Sequence, residues 1–206
     1  MKLNDKGLLI VLSGPSGVGK GTVRDALFAM KGHNLVYSVS MTTRPPRAGE
    51  VHGHDYYFVT REEFEENIRA GKMLEHAEFI GNYYGTPLEA VSENLNAGLE
   101  VVLEIEVQGA EQVRQKMPEA VFIFIAPPSL DSLYNRLRRR GTESEEVIRQ
   151  RIEKAKREIN LAYKYDYIVV NDTVENAADK ILAIIRSEHA SVKRVLKNYK
   201  KMLGVE

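Results

Sequence analysis

The sequence predicts an α/β protein in which a parallel sheet flanked by helices carries a small inserted α+β lobe and a lid segment. Three observations predict this class. Short apolar runs typical of buried parallel strands alternate with helical patterns, at 8–12, 101–105 and 121–125. Residues 73–84 instead alternate polar and apolar side chains, which favours a small half-exposed antiparallel sheet. A glycine-rich loop joins the first strand to the first helix.

That loop is the most informative stretch of the chain. It consists of Gly14, Pro15, Ser16, Gly17, Val18, Gly19 and Lys20. It follows a predicted strand, Leu8–Leu12, and precedes helical spacing of Val23, Ala26 and Leu27. Glycines let backbone N–H groups turn inward around a polyphosphate, the helix N-terminus adds positive potential, and Lys20 supplies a mobile cation. The alternative, a glycine-rich turn that binds nothing, leaves the lysine at the helix start unexplained. We therefore predict a phosphate-binding loop (P-loop) for a nucleotide such as ATP.

Magnesium binding at this loop departs from the usual motif. The motif has Ser or Thr after the lysine, with its hydroxyl on Mg²⁺, whereas Gly21 stands there and Thr22 follows. Two alternatives remain open. Phosphate oxygens and waters hold the Mg²⁺, as this ion tolerates, or Thr22 reaches it through an altered turn.

Composition limits the kind of protein. At 206 residues the chain can bury a sizeable core, and its 29 basic and 29 acidic residues balance, which argues against nucleic acid and membrane partners. The absence of cysteine excludes disulfides and thiolate metal sites. The apolar runs are too short to cross a membrane. A cytoplasmic enzyme is expected, and the oligomeric state is not predicted.

The inserted lobe is expected at 40–96, between core segments 1–39 and 97–206. A strand at 35–40 leads into it, followed by a loop at 41–53 that is rich in Pro, Gly and Arg. The remaining elements predicted there are a strand at 56–59, a capping box at 60–63 that begins a helix ending at 68, and small strands at 73–79 and 82–84.

The second half of the core repeats strands and helices. The expected elements are a strand at 101–105, a helix at 112–116, a strand at 121–125, a helix with Leu130, Leu133 and Leu137 on one face, a capping box at 142–145, a helix at 146–163 and a strand at 167–170. Asp172 or Thr173 caps a helix whose core face is Ala177, Ala178, Ile181, Leu182 and Ile185. The basic segment 193–201 is expected to be a solvated helix face, with an assembly contact as the alternative.

Two arginines in a proline-stiffened loop suggest a second phosphate site. Arg44 and Arg47 carry planar guanidinium groups that match the oxygens of a phosphate monoester. Tyr56 and Tyr84 can add hydroxyl donors. A solvated basic loop is the alternative, but the loop follows the second strand, at the sheet edge where ligands of α/β folds bind.

Acidic and hydroxyl side chains form a further set. Glu75, Glu106, Ser40 and Thr86 supply carboxylates and hydroxyls, which the N1–H, N2–H₂ and O6 groups of guanine require. Alternation predicts that Glu104 and Glu106 lie on one face near a strand end. Because two buried like charges are costly, a metal, an arginine or a ligand donor is expected beside them.

A third basic set contains Arg136, Arg139, Arg140 and Arg151. Such a charge run can be a solvated helix face. Its position before Gly141 instead suggests a lid, at about 136–151, that closes over a transferring phosphate.

Over nearly its whole length the chain resembles the guanylate kinase family. The matching segments are 14–20, 40–47, 81–85, 108–109, 125–129 and 140–143. The resemblance implies a P-loop NTPase core, with ATP and GMP as substrates and Mg²⁺ as cofactor. It departs mildly from the family at Glu104 and Glu106, where Asp is frequent, and at Thr86, where Ser is common.

The resemblance also implies roles for individual residues. Lys20 would bridge the donor phosphates, and Asn171 would lie near the adenine of ATP. The transferring group would be neutralised by Arg136, Arg140 and Arg151. The GMP phosphate would be held by Arg44, Arg47, Tyr56 and Tyr84, and the guanine site would comprise Ser40, Glu75, Thr86, Glu104 and Glu106. Two alternatives remain: a kinase for another small molecule, such as a ribosyl phosphate, and a non-catalytic module, which usually loses the P-loop lysine.

Overall fold

The computed structural model describes residues 6–79, 81–139, 141 and 144–205. Within them, the strands are β1 (Leu9–Ser13), β2 (Leu35–Tyr37), β3 (Met41–Thr42), β4 (Tyr57–Phe58), β5 (Met73–Phe79), β6 (Asn82–Pro87), β7 (Glu100–Glu104), β8 (Val121–Ala126) and β9 (Tyr167–Val170). The helices are α1 (Lys20–Ala29), α2 (Arg61–Arg69), α3 (Leu88–Asn96), α4 (Val107–Lys116), α5 (Leu130–Arg139), α6 (Glu145–Ile159), α7 (Val174–Glu188) and α8 (Val192–Leu203).

The larger sheet is parallel and has the strand order β2-β7-β1-β8-β9. Its central strand β1 is buried on both faces. Ile10 and Leu12 pack on one side with α1 and α7, whereas Leu9 and Val11 pack on the other with α3 and α4. Burying such a side chain contributes roughly 1.5–3 kcal/mol. The α/β class and the strand of unbroken apolar residues are therefore confirmed.

The smaller sheet has the order β4-β3-β6-β5 and lies within residues 40–96. Strand β3 pairs antiparallel with β6 but parallel with β4, so the sheet is mixed rather than purely antiparallel. Helix α2 packs on it through Phe64, whose ring stacks on Tyr83 at 5.2 Å. The Thr60 hydroxyl accepts from the Glu63 amide at 3.1 Å, which confirms the predicted cap.

Several predicted boundaries are wrong. Met41–Thr42 form strand β3 rather than loop, because Thr42 pairs with Tyr84 and is fully buried. Helix α3 was not predicted. Helix α4 begins at Val107, five residues before the predicted start. The glycine in its first turn obscures the helical pattern.

In the lid region the capping residue of α6 differs from prediction, whereas the predicted core face of α7 and the predicted solvated helix at 193–201 are confirmed. Ser144 caps α6, with its hydroxyl accepting from the Val147 amide at 3.4 Å. The predicted capping residue Thr142 lies outside the described residues. Thr173 rather than Asp172 caps α7, whose predicted core face is buried. The basic segment forms α8, in which no described residue is buried.

Candidate active site

The predicted site residues gather along one edge of the parallel sheet. The P-loop follows β1, the segment leading to the lobe follows β2, Glu106 follows β7, and Asn171 follows β9. Because these strands are parallel, their carboxyl ends meet at the same edge, where open α/β sheets bind ligands. The topology therefore brings together segments that are far apart in sequence.

The P-loop holds its lysine by its own backbone. The Lys20 ammonium donates to the Gly14 carbonyl at 2.7 Å and to the Pro15 carbonyl at 3.3 Å. Lys20 is the first residue of α1, and Gly19 before it has a left-handed φ of 93°. A Cβ at Gly19 would lie 2.8 Å from the Asn171 amide nitrogen, so a side chain there is excluded. The backbone of the loop therefore binds the Lys20 ammonium directly.

The side chains of Arg136 and Asn171 both donate hydrogen bonds to the P-loop backbone. The Asn171 amide and one Arg136 nitrogen donate to the Val18 carbonyl, at 2.8 and 2.9 Å. The other Arg136 nitrogen donates to the Asn171 carbonyl at 2.8 Å. Asn171 is only 2% exposed, and its side-chain oxygen has no hydrogen-bond partner among the described residues. Both predicted residues thus contact the nucleotide loop.

Glu104 faces this loop rather than the lobe. It accepts from Arg24 at 2.9 Å, and the Arg24 guanidinium lies 4.6 Å from the Tyr37 ring. A Cβ at Gly21 would lie 3.6 Å from a Glu104 carboxylate oxygen. Burial lowers the pKa of Lys20, opposed by the charge of Glu104, and burial raises the pKa of Glu104. The two groups therefore share one electrostatic environment.

The arginine loop of the lobe is also ordered. Arg44 donates to Glu50 at 2.8 Å and to the Pro45 carbonyl at 2.7 Å. Its guanidinium lies 5.6 Å from the Tyr56 ring, which in turn lies 6.1 Å from Tyr84. The hydrogen bond that Arg44 donates to Glu50 raises the pKa of Arg44, and burial raises the pKa of Tyr56. These predicted phosphate ligands converge, and the Arg47 side chain is exposed beside them.

Glu75 and Thr86 form a buried pair across β5 and β6. The Thr86 hydroxyl donates to a Glu75 oxygen at 2.7 Å. Thr86 is 0% exposed and Glu75 is 6% exposed. A Cβ at Gly109 would lie 2.7 Å from the other Glu75 oxygen, so a larger residue at this position of α4 would require the Glu75 side chain to shift. Burial raises the pKa of Glu75, and the Thr86 hydrogen bond opposes that rise.

Strand β7 ends at Glu104, one residue before the predicted end, and Glu106 is the N-cap residue of α4, so the strand alternation does not extend to Glu106. Glu106 accepts from Lys154 of α6 at 2.9 Å, so the two glutamates have separate cationic partners. A metal, an arginine or a ligand donor was expected beside the two glutamates, and Arg24 is such an arginine for Glu104. The sequence did not identify Arg24 or Lys154, although Arg24 follows Lys20 by one helical turn, a spacing that places both on one face.

The remaining predicted residues are less informative. Ser40 is half-buried and accepts from the Tyr57 amide through its carbonyl. Arg151 is half-buried on α6, Arg139 is exposed, and Thr22 is exposed. Arg140 lies outside the described residues. Helices α5 and α6 pack together through Leu133, Leu137, Ile148 and Ala155.

The described part of the chain contains neither a cluster of metal-binding side chains nor a membrane-spanning helix. There, no three or more His, Asp or Glu side chains come together as a metal site. No helix there is both long and apolar enough to cross a bilayer.

Comparison with known proteins gives one consistent family. The family model described as guanylate kinase matches residues 6–188. A guanylate kinase of Streptococcus pyogenes serotype M3 is 60% identical over 203 residues, which is 98% of this chain and 96% of that protein. The serotype M18 protein of the same name gives the same values.

A solved structure agrees with these matches. The crystal structure of guanylate kinase from Anaplasma phagocytophilum superimposes with a TM-score of 0.73 at 39% identity, over 92% of this chain and 89% of that one. The chain belongs to the guanylate kinase family and is a nucleoside monophosphate kinase.

Proposed function

We propose that this chain transfers the γ-phosphoryl group of ATP to GMP, giving ADP and GDP, with ATP on the core and GMP on the lobe. The observation that carries the assignment is the buried Glu75–Thr86 pair beside the Arg44 loop. A carboxylate that is 6% exposed is costly to bury without donors, and guanine offers adjacent N–H donors. A phosphate clamp next to such a carboxylate fits a guanine mononucleotide.

The P-loop and the side chains that donate to its backbone are assigned to ATP. The backbone of 14–19 surrounds the β-phosphate, Lys20 bridges the β- and γ-phosphates, and the residues at 21–22 follow at the start of α1. The buried oxygen of Asn171, unpartnered among the described residues, suits the amino group of adenine. Arg136, Arg140 and Arg151 are assigned to the charge on the transferring phosphoryl group.

Mg²⁺ fits this site as a partner of phosphates. Gly21 offers no hydroxyl and Thr22 is exposed, whereas a Glu104 carboxylate oxygen would lie 3.6 Å from a Cβ at Gly21. Mg²⁺ commonly combines one or two carboxylates with phosphate oxygens and waters. When bound, it would neutralise part of the negative charge of the nucleotide phosphates.

The lobe is assigned to GMP. Arg44, Arg47, Tyr56 and Tyr84 hold the phosphate, while Glu75 and Glu106 accept from N1–H and N2–H₂ of guanine. Since the Thr86 hydroxyl proton is committed to Glu75, Ser40 is the hydroxyl that donates to O6. This division of roles between the two hydroxyl groups follows from the direction of the Thr86 hydrogen bond.

No general base is required for this transfer. The second pKa of a phosphate monoester is about 6, so the attacking oxygen is largely deprotonated at neutral pH. The protein's work is to align two polyanions and screen their charge. Movement of the lobe at 40–96 and of the lid at about 136–151 toward the core would bring the two phosphate sites together.

A coupled ADP-release assay tests the function. GMP should exceed AMP, CMP and UMP by at least about 10³ in kcat/KM, because a pocket with buried acceptors rejects a base that lacks the matching donors. Ribose phosphates should be inactive. Comparable use of AMP and GMP would contradict the assignment. Cytoplasmic localisation stays a prediction.

A further inference from the structure

Glu50 lies in the arginine loop, the segment that carries Arg44 and Arg47, and contacts both of these residues. We propose that Glu50 is a positioning residue for the GMP phosphate: its carboxylate fixes Arg44 and Arg47 in the geometry that receives the phosphate oxygens. The inference rests on the proposed GMP site and adds a residue to it. It concerns the acceptor phosphate only, not ATP.

One carboxylate joins the two arginines. Its Oε1 accepts from the Arg44 guanidinium at 2.8 Å, and its Oε2 accepts from the Arg47 backbone amide at 2.7 Å. The Glu50 amide donates in turn to the Arg47 carbonyl at 3.1 Å. Glu50 thus closes the turn that carries Arg47 and holds the side chain of Arg44 with the same group. Hydrogen bonds to an ionised group are shorter and stronger than neutral ones.

The other contacts of Arg44 leave part of its guanidinium available. The second Nη donates to the Pro45 carbonyl, and the rings of Tyr56 and Phe58 lie 5.6 and 5.8 Å away. A guanidinium has five N–H donors, so the contacts to Glu50 and Pro45 leave donors for a phosphate. A side chain fixed before binding loses less conformational freedom when the ligand arrives.

This ion pair differs from an ordinary surface pair in the same lobe. The side chains of Arg44 and Glu50 are 13% and 20% exposed, whereas those of Arg61 and Glu65 are 46% and 38% exposed. Exposed single pairs contribute little to stability or geometry. Among the residues that the structure describes, Glu65 pairs with Arg61 alone, within one helix, and therefore provides a matched control.

The charge of Glu50 also has an opposing effect, because it repels the phosphate dianion. Positioning outweighs this repulsion in our proposal, since Arg44 lies between the carboxylate and the ligand and neutralises it. The hydrogen bond from Arg44 also lowers the pKa of Glu50, so the carboxylate stays ionised where the enzyme works. If Glu50 instead occupied the phosphate position as a competitor, removing its charge would improve GMP binding.

The test is the kinetics of Glu50→Gln beside the control Glu65→Gln. The amide keeps the size of the side chain but has no charge and only one acceptor oxygen, so both Arg44 and the Arg47 amide lose the charged acceptor and one of them loses its acceptor altogether. We expect KM for GMP to rise about ten-fold, with kcat and KM for ATP within about two-fold of the wild type. Glu50→Asp should recover part of the loss, and Glu65→Gln should change none of these constants. A lower or unchanged KM for GMP in Glu50→Gln overturns the proposal.

A double-mutant cycle separates this inference from the proposed function. If Glu50 acts through the arginine loop, Glu50→Gln should raise KM less in an Arg44→Ala background than in the wild type. Full additivity contradicts a role through Arg44. If Arg44→Ala raises KM for GMP but Glu50→Gln does not, only the Glu50 role fails. If the wild-type enzyme does not phosphorylate GMP, or Arg44→Ala has no effect, the proposed GMP site fails instead.

Discussion

Lys20 in the core and Arg44 in the lobe are both assigned to phosphate, but different parts of the molecule hold them. Lys20 is bound by the carbonyls of its own loop, and burial lowers its pKa. Arg44 lies near the surface, where its guanidinium donates to the Glu50 carboxylate and to the carbonyl of the next residue, Pro45. Lys20 therefore needs only the P-loop to be in place, whereas Arg44 depends on a residue outside the arginine motif.

The difference predicts different kinetic roles. Lys20, whose ammonium is hydrogen-bonded to backbone carbonyls beside the transferring group, should act mainly by stabilising the transition state. An arginine in a half-exposed loop should bind GMP equally in the ground state and the transition state, and so affect KM. Substitutions at the two sites should therefore change different kinetic constants.

The largest effect is expected from Lys20→Ala. Loss of the buried ammonium should lower kcat by about 10² to 10³, since one charged stabiliser of developing charge contributes roughly 3–4 kcal/mol. The control is Lys180→Ala, an exposed lysine on α7. Steady-state assays with both substrates saturating provide the measurement, and circular dichroism checks the fold. Normal turnover in the variant would remove the P-loop from the mechanism.

The second effect is on base selection. Glu75→Gln should reduce the preference for GMP over AMP in kcat/KM by about 10², because an amide can present either a donor or an acceptor to the ring. The change keeps an acceptor for the Thr86 hydroxyl. Glu78→Gln, at an exposed position of the same strand, serves as the control. An unaltered ratio in Glu75→Gln would show that Glu75 does not read the base.

The same substitution should have a smaller effect on stability. Burial raises the pKa of Glu75 above its ordinary value of 4.5, so ionisation at neutral pH destabilises the folded state. Glu75→Gln should therefore raise the free energy of unfolding at about pH 7.5. As pH falls through the raised pKa toward 4.5, the wild type regains this stability and the difference shrinks. Urea unfolding at several pH values measures it; a variant less stable than the wild type at neutral pH contradicts the expectation.

The two regions were not equally predictable from the sequence. The P-loop is contiguous, so its strand, glycines, lysine and helix start could be identified from local pattern alone. The lobe was predicted in outline, but β3 was missed because only pairing with Tyr84 makes Thr42 part of a strand. Local pattern carries no information about such partners.

The charged partners of the site show the same limit. Arg24 and Glu104 are 80 residues apart in sequence, and Lys154 and Glu106 are 48 apart. Electrostatics predicted a metal, an arginine or a ligand donor beside the glutamates, but which residue lies there depends on how the helices pack over the sheet. Glu50 is only six residues from Arg44, yet an acidic residue in a surface loop gives no signal of what it contacts.

The central claim is that the acceptor phosphate is held on the lobe by Arg44, independently of the donor site on the core. Calorimetric titration of Arg44→Ala and the wild type with GMP, and separately with a non-hydrolysable ATP analogue, tests it most directly. The account predicts that the Kd for GMP rises by at least about ten-fold in Arg44→Ala, because a charge-assisted contact is lost, while the Kd for the ATP analogue stays within about two-fold. Equal weakening of both ligands, or unchanged GMP binding, would contradict the account.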